Sequence, residues 1–370
     1  MAGLMLNSSS VFQLNFSAKL KFCASISATS PSCKTLAPMV GRIPNNNDTH
    51  KMTKTIYLFL FLTTLISCNH KMQVGTNLPS HMVIESFYWE KAEINGRVYD
   101  KAAMFVPINI DHLKQDIFAQ FDLGSNTSIL YEKNLRSIKE FSHLKLDTLP
   151  DGNTDDGKKI FALRNVNLSI GKIDLGKRDI YGFFNYGDSI VIDKSKGFEE
   201  KSIGTIGSDI VQNKYLIINF PAKKISISDS LNYKTEQSFN FVTCKLVNNR
   251  IIVPLEINGK IKYFLYDTGA SLFPMSTSKS IWTEITDNKI NDTLNITNFG
   301  KPVQMLSAKS NLNVKIAGRQ FKNFEVYHER NNFFDEIFKQ IECDGIIGNS
   351  FFFDKVICID YKTKRFGIEK

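Results

Sequence analysis

The chain repeats itself once over a long period, and that repeat limits the folds open to it. Val106-Pro107-Ile108-Asn109-Ile110 runs ahead of Phe121-Asp122-Leu123-Gly124-Ser125, and Val253-Pro254-Leu255-Glu256-Ile257 runs ahead of Tyr266-Asp267-Thr268-Gly269-Ala270. Further on, Asn167-Leu168-Ser169-Ile170-Gly171-Lys172 is matched by Asn311-Leu312-Asn313-Val314-Lys315-Ile316. Each half closes with an apolar stretch, a glycine and a strand: Ile203–Gly207 leading to Leu216–Phe220, and Asp344–Gly348 leading to Val356–Asp360. Gly207 and Asn219 are 12 positions apart, as are Gly348 and Asp360, while Asp122–Gly207 spans 85 and Asp267–Gly348 spans 81. The apolar runs are short and bounded by turn formers, which reads as strand rather than helix. Asn258-Gly259 between two such runs predicts a type I′ hairpin. The expectation is an all-β chain of two pseudo-symmetric lobes, 83–232 and 233–370, divided within the polar stretch Ser228–Gln237.

With 370 residues, 42% hydrophobic and 22% charged, the chain can bury two cores, and its 29 Phe favour strands. The net charge of +9 narrows to +5 once residues 1–51 are set aside, where Lys19, Lys21, Lys34, Arg42 and Lys51 face only Asp48. That surplus, with no basic stripe among aromatics, argues against a nucleic-acid partner. Cys244, Cys343 and Cys358 cannot all pair internally, and the first lobe has no cysteine, so disulfides are not expected to hold the fold. The six His are scattered and no CxxC spacing occurs, so neither a metal nor a cofactor is expected. Trp89, Trp282 and Phe351–Phe353 read as packing residues, and Cys343 as a reduced thiol with no His near it in sequence.

The front end carries targeting information. Met52-Thr53-Lys54 is followed by a mostly apolar run from Thr55 to Ser67 and then Cys68, too short a run for a membrane-spanning helix. Leu65-Ile66-Ser67-Cys68 resembles a bacterial lipobox, which implies signal 52–68, lipidation at Cys68, a linker 69–82 and a lipid-anchored place in the cell envelope. An ordinary secretory signal or a buried strand are the alternatives. Residues 1–51, rich in Ser and Asn, resemble a plastid transit peptide; they are read as a leader extension ahead of a true start at Met52, with a plastid precursor as the second reading.

Each half sets an Asp-x-Gly turn at the end of an apolar strand. In a duplicated fold the pseudo-dyad brings Asp122 and Asp267 face to face, where two carboxylates cannot both ionise easily and share a proton. One carboxylate then takes a proton from a water held between them and its protonated partner polarises a carbonyl, with no metal or cofactor.

The segment Tyr266-Asp267-Thr268-Gly269-Ala270-Ser271 resembles the active-site turn of pepsin- and retropepsin-like aspartic proteases, over roughly residues 83–370. The resemblance implies β-barrel-like lobes of the acid protease type, an extended peptide in the cleft between them, a monomer, and Asp122 and Asp267 as the catalytic pair. Gly124 and Gly269 match the turn glycines, Thr268 the hydroxyl that locks the two loops together, and Ser125 a position that often hydrogen-bonds the neighbouring aspartate. Gly207 and Gly348 match the apolar-apolar-Gly elements behind each loop. Leu123 departs from the pattern: the family has Thr or Ser there, and losing that hydroxyl costs about a hydrogen bond's net ~1 kcal/mol and loosens Asp122. A covering flap is expected in Asp151–Lys159 or Asn291–Val303. The function read from this is an aspartic-type endopeptidase; the alternative is a catalytically weak or inactive peptide-binding lipoprotein of the same fold.

Overall fold

The structure is a computed structural model that describes residues 82–111, 116–153, 157–190, 197–298 and 301–370. The expectations for the leader 1–51, for the signal 52–68 with its Cys68 and, Met82 apart, for the linker 69–82 lie outside the described residues. Among the described residues no helix is long and apolar enough to cross a membrane.

The fold is all-β and two-lobed, and eight strands of each lobe follow matching paths, the second lobe's sheet adding Val314–Ile316 and Arg319–Phe321. The first lobe's eight-stranded sheet runs Tyr88–Ile94, Arg97–Ile110, Phe118–Phe121, Ser202–Ile206, Ile129–Tyr131, Ile173–Phe183, Lys159–Ile170, Asp147–Asn153. In the second lobe the corresponding path is Lys245–Val247, Arg250–Ile257, Lys260–Asp267, Gly345–Gly348, Met275–Thr277, Glu325–Glu329, Lys301–Lys309, Asp292–Asn298. The strand senses match too. Phe118–Phe121 pairs parallel with Ser202–Ile206, as Lys260–Asp267 does with Gly345–Gly348, and Ile129–Tyr131 and Met275–Thr277 each pair parallel with the next strand in their path.

A third sheet joins the halves. Its central pair is Tyr215–Asn219 against Val356–Asp360, antiparallel, with Leu216 opposite Ile359 and Asn219 opposite Val356. These are the two closing strands that share a 12-residue offset from their glycines, so the repeat in the sequence becomes a symmetric pairing in space. Both strands are apolar on both faces because the sheet is covered on each side. The hairpin at Asn258-Gly259 forms as expected: both residues have positive φ (49° and 73°) and Ile257 pairs with Lys260. Trp282 is buried, donating its indole N–H to Val326 O at 2.9 Å, and Phe351 and Phe352 lie in the main core.

The lobes differ in their first hairpin. In the second lobe it is short, Lys245–Val247 against Arg250, Ile251 and Ile252, whereas in the first it extends to a tip at Asn95-Gly96. That tip reaches the opposite lobe: Asn95 Nδ2 donates to Thr293 O at 2.6 Å and Arg97 Nη1 to Asp292 Oδ2 at 2.6 Å. Ala92, Ile94 and Ala102 of this hairpin are buried in one apolar cluster with Leu265, Ala270, Phe273 and Ile346. The stretches expected to hold a flap border matching antiparallel strand pairs, Asp147–Asn153 with Lys159–Ile170 and Asp292–Asn298 with Lys301–Lys309, and residues 154–156 and 299–300 within them lie outside the described residues.

Candidate active site

Strand alternation fixes where the two aspartates point. In Phe118–Phe121, Ala119 and Phe121 enter the main core, so Phe118, Gln120 and the following Asp122 take the other face. In Lys260–Asp267, Phe264 and Tyr266 enter the main core, leaving Leu265 and Asp267 on the other face. Each strand ends in a turn, and the turns meet. Asp122 and Asp267 are buried, at 0% and 2% exposure, and their carboxyls share a hydrogen bond.

The glycines allow this approach. A Cβ on Gly124 would lie 2.5 Å from Asp267 Oδ1, and one on Gly269 would lie 2.7 Å from Asp122 Oδ1. Each glycine therefore sits against the carboxylate of the opposite loop. Gly124 N–H (3.2 Å) and Gly269 N–H (2.7 Å) both donate to Asp267 Oδ1, while Ser125 N–H donates to Asp122 Oδ1 at 3.1 Å. Burial first, and then the Asp122 charge and hydrogen bond, hold Asp267 well above its ordinary value, outweighing the two backbone donors.

The hydroxyl grip is one-sided. Thr268 Oγ1 accepts from Leu123 N–H at 2.9 Å and donates to Phe121 O at 2.7 Å, so it holds both sides of the opposite turn. Leu123 returns nothing of the kind; its side chain is fully buried in the main core. Ser125 hydrogen-bonds the neighbouring Asp122 through its backbone. Its hydroxyl donates to Thr127 O at 2.7 Å and its backbone N–H, rather than its side chain, serves Asp122. The turn around Ser125 curls so that its carbonyl accepts from Ser208 N–H and Oγ, which points the hydroxyl along the loop. Gly207 N–H donates to Ser128 Oγ at 3.0 Å, and Gly348 N–H to Pro274 O at 3.2 Å, tying each parallel strand to its loop. Ser271 Oγ donates to Thr268 O at 2.8 Å, and Ala270 packs with the long hairpin's cluster.

Three supporting residues went unread in the sequence. Asn349, next to Gly348, donates to Thr268 O at 3.0 Å and Ser271 Oγ at 2.8 Å and accepts from Tyr266 OH at 2.8 Å. Ser208, next to Gly207, does the matching work in the first lobe, and the duplication could have flagged both positions. Arg250, 3% exposed, donates Nε–H to Gly124 O at 2.6 Å from the other lobe. It is a charge inside an apolar strand, and that was its only signal. Among the described residues no group of three or more His, Cys, Asp or Glu is placed to hold a metal ion. The cysteine thiols of Cys244 and Cys343 are each pushed up to about 12, chiefly by burial, and are inert as nucleophiles at neutral pH.

No protein-family model and no curated protein matches the chain. Among solved structures, the aspartic proteinase from Irpex lacteus is similar at 12% identity, the match covering 73% of this chain and 94% of that chain with a TM-score of 0.42. That likeness is too low to assign a family, and the chemistry of the site rests on its own geometry.

Proposed function

We propose that the chain is an aspartic-type peptide hydrolase acting on an extended peptide laid across the two turns. The observation that carries the reading is the hydrogen-bonded pair Asp122–Asp267, each carboxylate seated against the glycine of the opposite loop. The pair holds one proton, kept at Asp267 by burial and by its neighbour. Asp122 takes a proton from a water lying between the two, and the resulting hydroxide adds to the peptide carbonyl carbon. Asp267 gives its proton to the carbonyl oxygen, forming a gem-diol. Collapse of the gem-diol returns one hydroxyl proton to Asp267 while Asp122 passes its proton to the departing nitrogen, so the pair ends as it began. The buried surroundings strengthen each of these interactions.

The test is hydrolysis of a denatured protein by the purified chain at acid and neutral pH, with Asp267→Asn as control. Activity that the control lacks supports the reading; equal residual activity in both removes it. One observation favours a second reading, a peptide-binding chain with weak or no chemistry: Leu123 supplies no hydroxyl to the opposite loop. Peptide binding without turnover selects it. The run ending in Cys68 supports a place on a membrane surface, checked by lipid labelling of the wild type against Cys68→Ala.

A further inference from the structure

We infer that Gln120 selects substrates carrying a side-chain amide, Asn or Gln, beside the scissile bond. The inference rests on the proposal that a peptide lies across the paired carboxylates. Gln120 precedes Asp122 by two positions, on the same face of its strand and about 7 Å along it at ~3.3 Å per residue. It is 6% exposed, and its Nε2 has no hydrogen-bond partner among the described residues. A buried amide donor left unpaired is costly to folding, so such a group calls for a ligand that completes it.

The opposite lobe shows what this position looks like without that demand. Leu265 stands two residues before Asp267, is fully buried, and lies in the same apolar cluster as Ala92, Ile94 and Ala102 of the long hairpin. The face beside Asp267 is therefore already filled by the chain itself. On the face beside Asp122, Gln120 lies opposite Phe105 on one neighbouring strand and Thr205 on the other. Thr205 Oγ1 is paired with Tyr131 OH at 2.9 Å, so that hydroxyl does not complete the amide.

An extended peptide crossing the turns keeps its backbone at the level of the carboxylates and sends alternate side chains toward the sheet, where Gln120 stands. An N–H donor needs an oxygen acceptor. A substrate carboxylate would bring a second negative charge beside an ionised Asp122 in a buried site, whereas the carbonyl oxygen of Asn or Gln brings none.

The test uses the full chain and peptides identical except for Gln, Glu, Met or Leu at each residue flanking the cleaved bond. Wild type is expected to favour Gln over the near-isosteric Met by about tenfold or more in kcat/KM at one flanking position. Gln120→Leu, which installs the residue of the matching position, is expected to level that ratio to within about twofold while melting at or above the wild-type temperature. A wild-type preference for Met or Leu over Gln at both flanking positions overturns the inference, as does a Gln120→Leu variant that slows every peptide by the same factor. A Gln120→Leu variant that melts well below wild type also overturns it, because the amide then has a partner within the protein. If wild type and Asp267→Asn are equally inactive, the hydrolase reading has failed, and calorimetric binding of the same peptides decides the inference separately. Tighter binding of the Gln peptide by wild type than by Gln120→Leu upholds it, and equal affinities overturn it.

Discussion

Replacing Thr268 with Val removes one oxygen and leaves shape and volume nearly unchanged. That oxygen accepts Leu123 N–H at 2.9 Å and donates to Phe121 O at 2.7 Å, both contacts buried. Valine leaves a backbone donor and a backbone acceptor without these bonds, each worth roughly 1–3 kcal/mol when unmet in the interior. The predicted loss is therefore about 2–6 kcal/mol, with no cavity contribution because the methyl fills the hydroxyl's place. In a symmetric grip a hydroxyl from the other loop would share the load; Leu123 carries none, so the whole of it falls on Thr268. Thr268→Ser keeps the oxygen and is expected to stay within about 1 kcal/mol of wild type. Denaturant unfolding reads the difference as a lower midpoint at unchanged slope. Hydrolysis by Thr268→Val is expected to fall about 100-fold, since the turn that places Asp122 is no longer tied. A Val variant as stable and active as the Ser variant refutes the one-sided grip.

Other perturbations probe the same turns. Gly124→Ala and Gly269→Ala each drive a methyl into the opposite carboxylate, and each is expected to reduce hydrolysis below about 1% of wild type while destabilising by roughly 1–3 kcal/mol; near-normal rates contradict the geometry. Arg250→Met leaves Gly124 O without its guanidinium donor and is expected to lower kcat with little change in KM, because Arg250 touches the loop and not the substrate; a raised KM at constant kcat counts against it. Asp267→Asn gives a stability prediction whose sign follows from the raised native pKa. The unfolded carboxyl ionises near its ordinary 3.8 while the native one stays protonated, so the contribution of Asp267 is intact below that value and is lost as pH rises through the native pKa. The variant should therefore gain on wild type between pH 3 and pH 7 in denaturant midpoints; a wild-type advantage that grows with pH contradicts the assignment.

What could be read beforehand was whatever the duplication wrote twice. The turns at Asp122 and Asp267 and the closing strands Leu216–Phe220 and Val356–Asp360 rest on local chemistry repeated at matching offsets, and the Asn258-Gly259 hairpin on its own turn residues. What escaped depends on contacts between segments far apart in sequence. Nothing near Asn95 or Arg97 announces partners at Thr293 and Asp292, nearly two hundred residues on. Arg250 opens a largely apolar strand, and its bond to Gly124 O across the interface cannot be read from that strand alone. Ser125 reaches Asp122 through its backbone N–H while its hydroxyl donates to Thr127 O, a division that the residue type alone does not announce. Gln120 was visible as the one polar residue in Phe118–Phe121, but its meaning needed the burial and the missing partner.

The shared proton is most directly tested by carbon-13 NMR titration of the aspartate carboxyls, with Asp267 assigned by its loss in Asp267→Asn. The Asp267 carboxyl should stay protonated well above 3.8, and in Asp122→Asn its titration should move down while burial still keeps it raised. A carboxyl at Asp267 that titrates near 3.8 and ignores the removal of Asp122 contradicts the account.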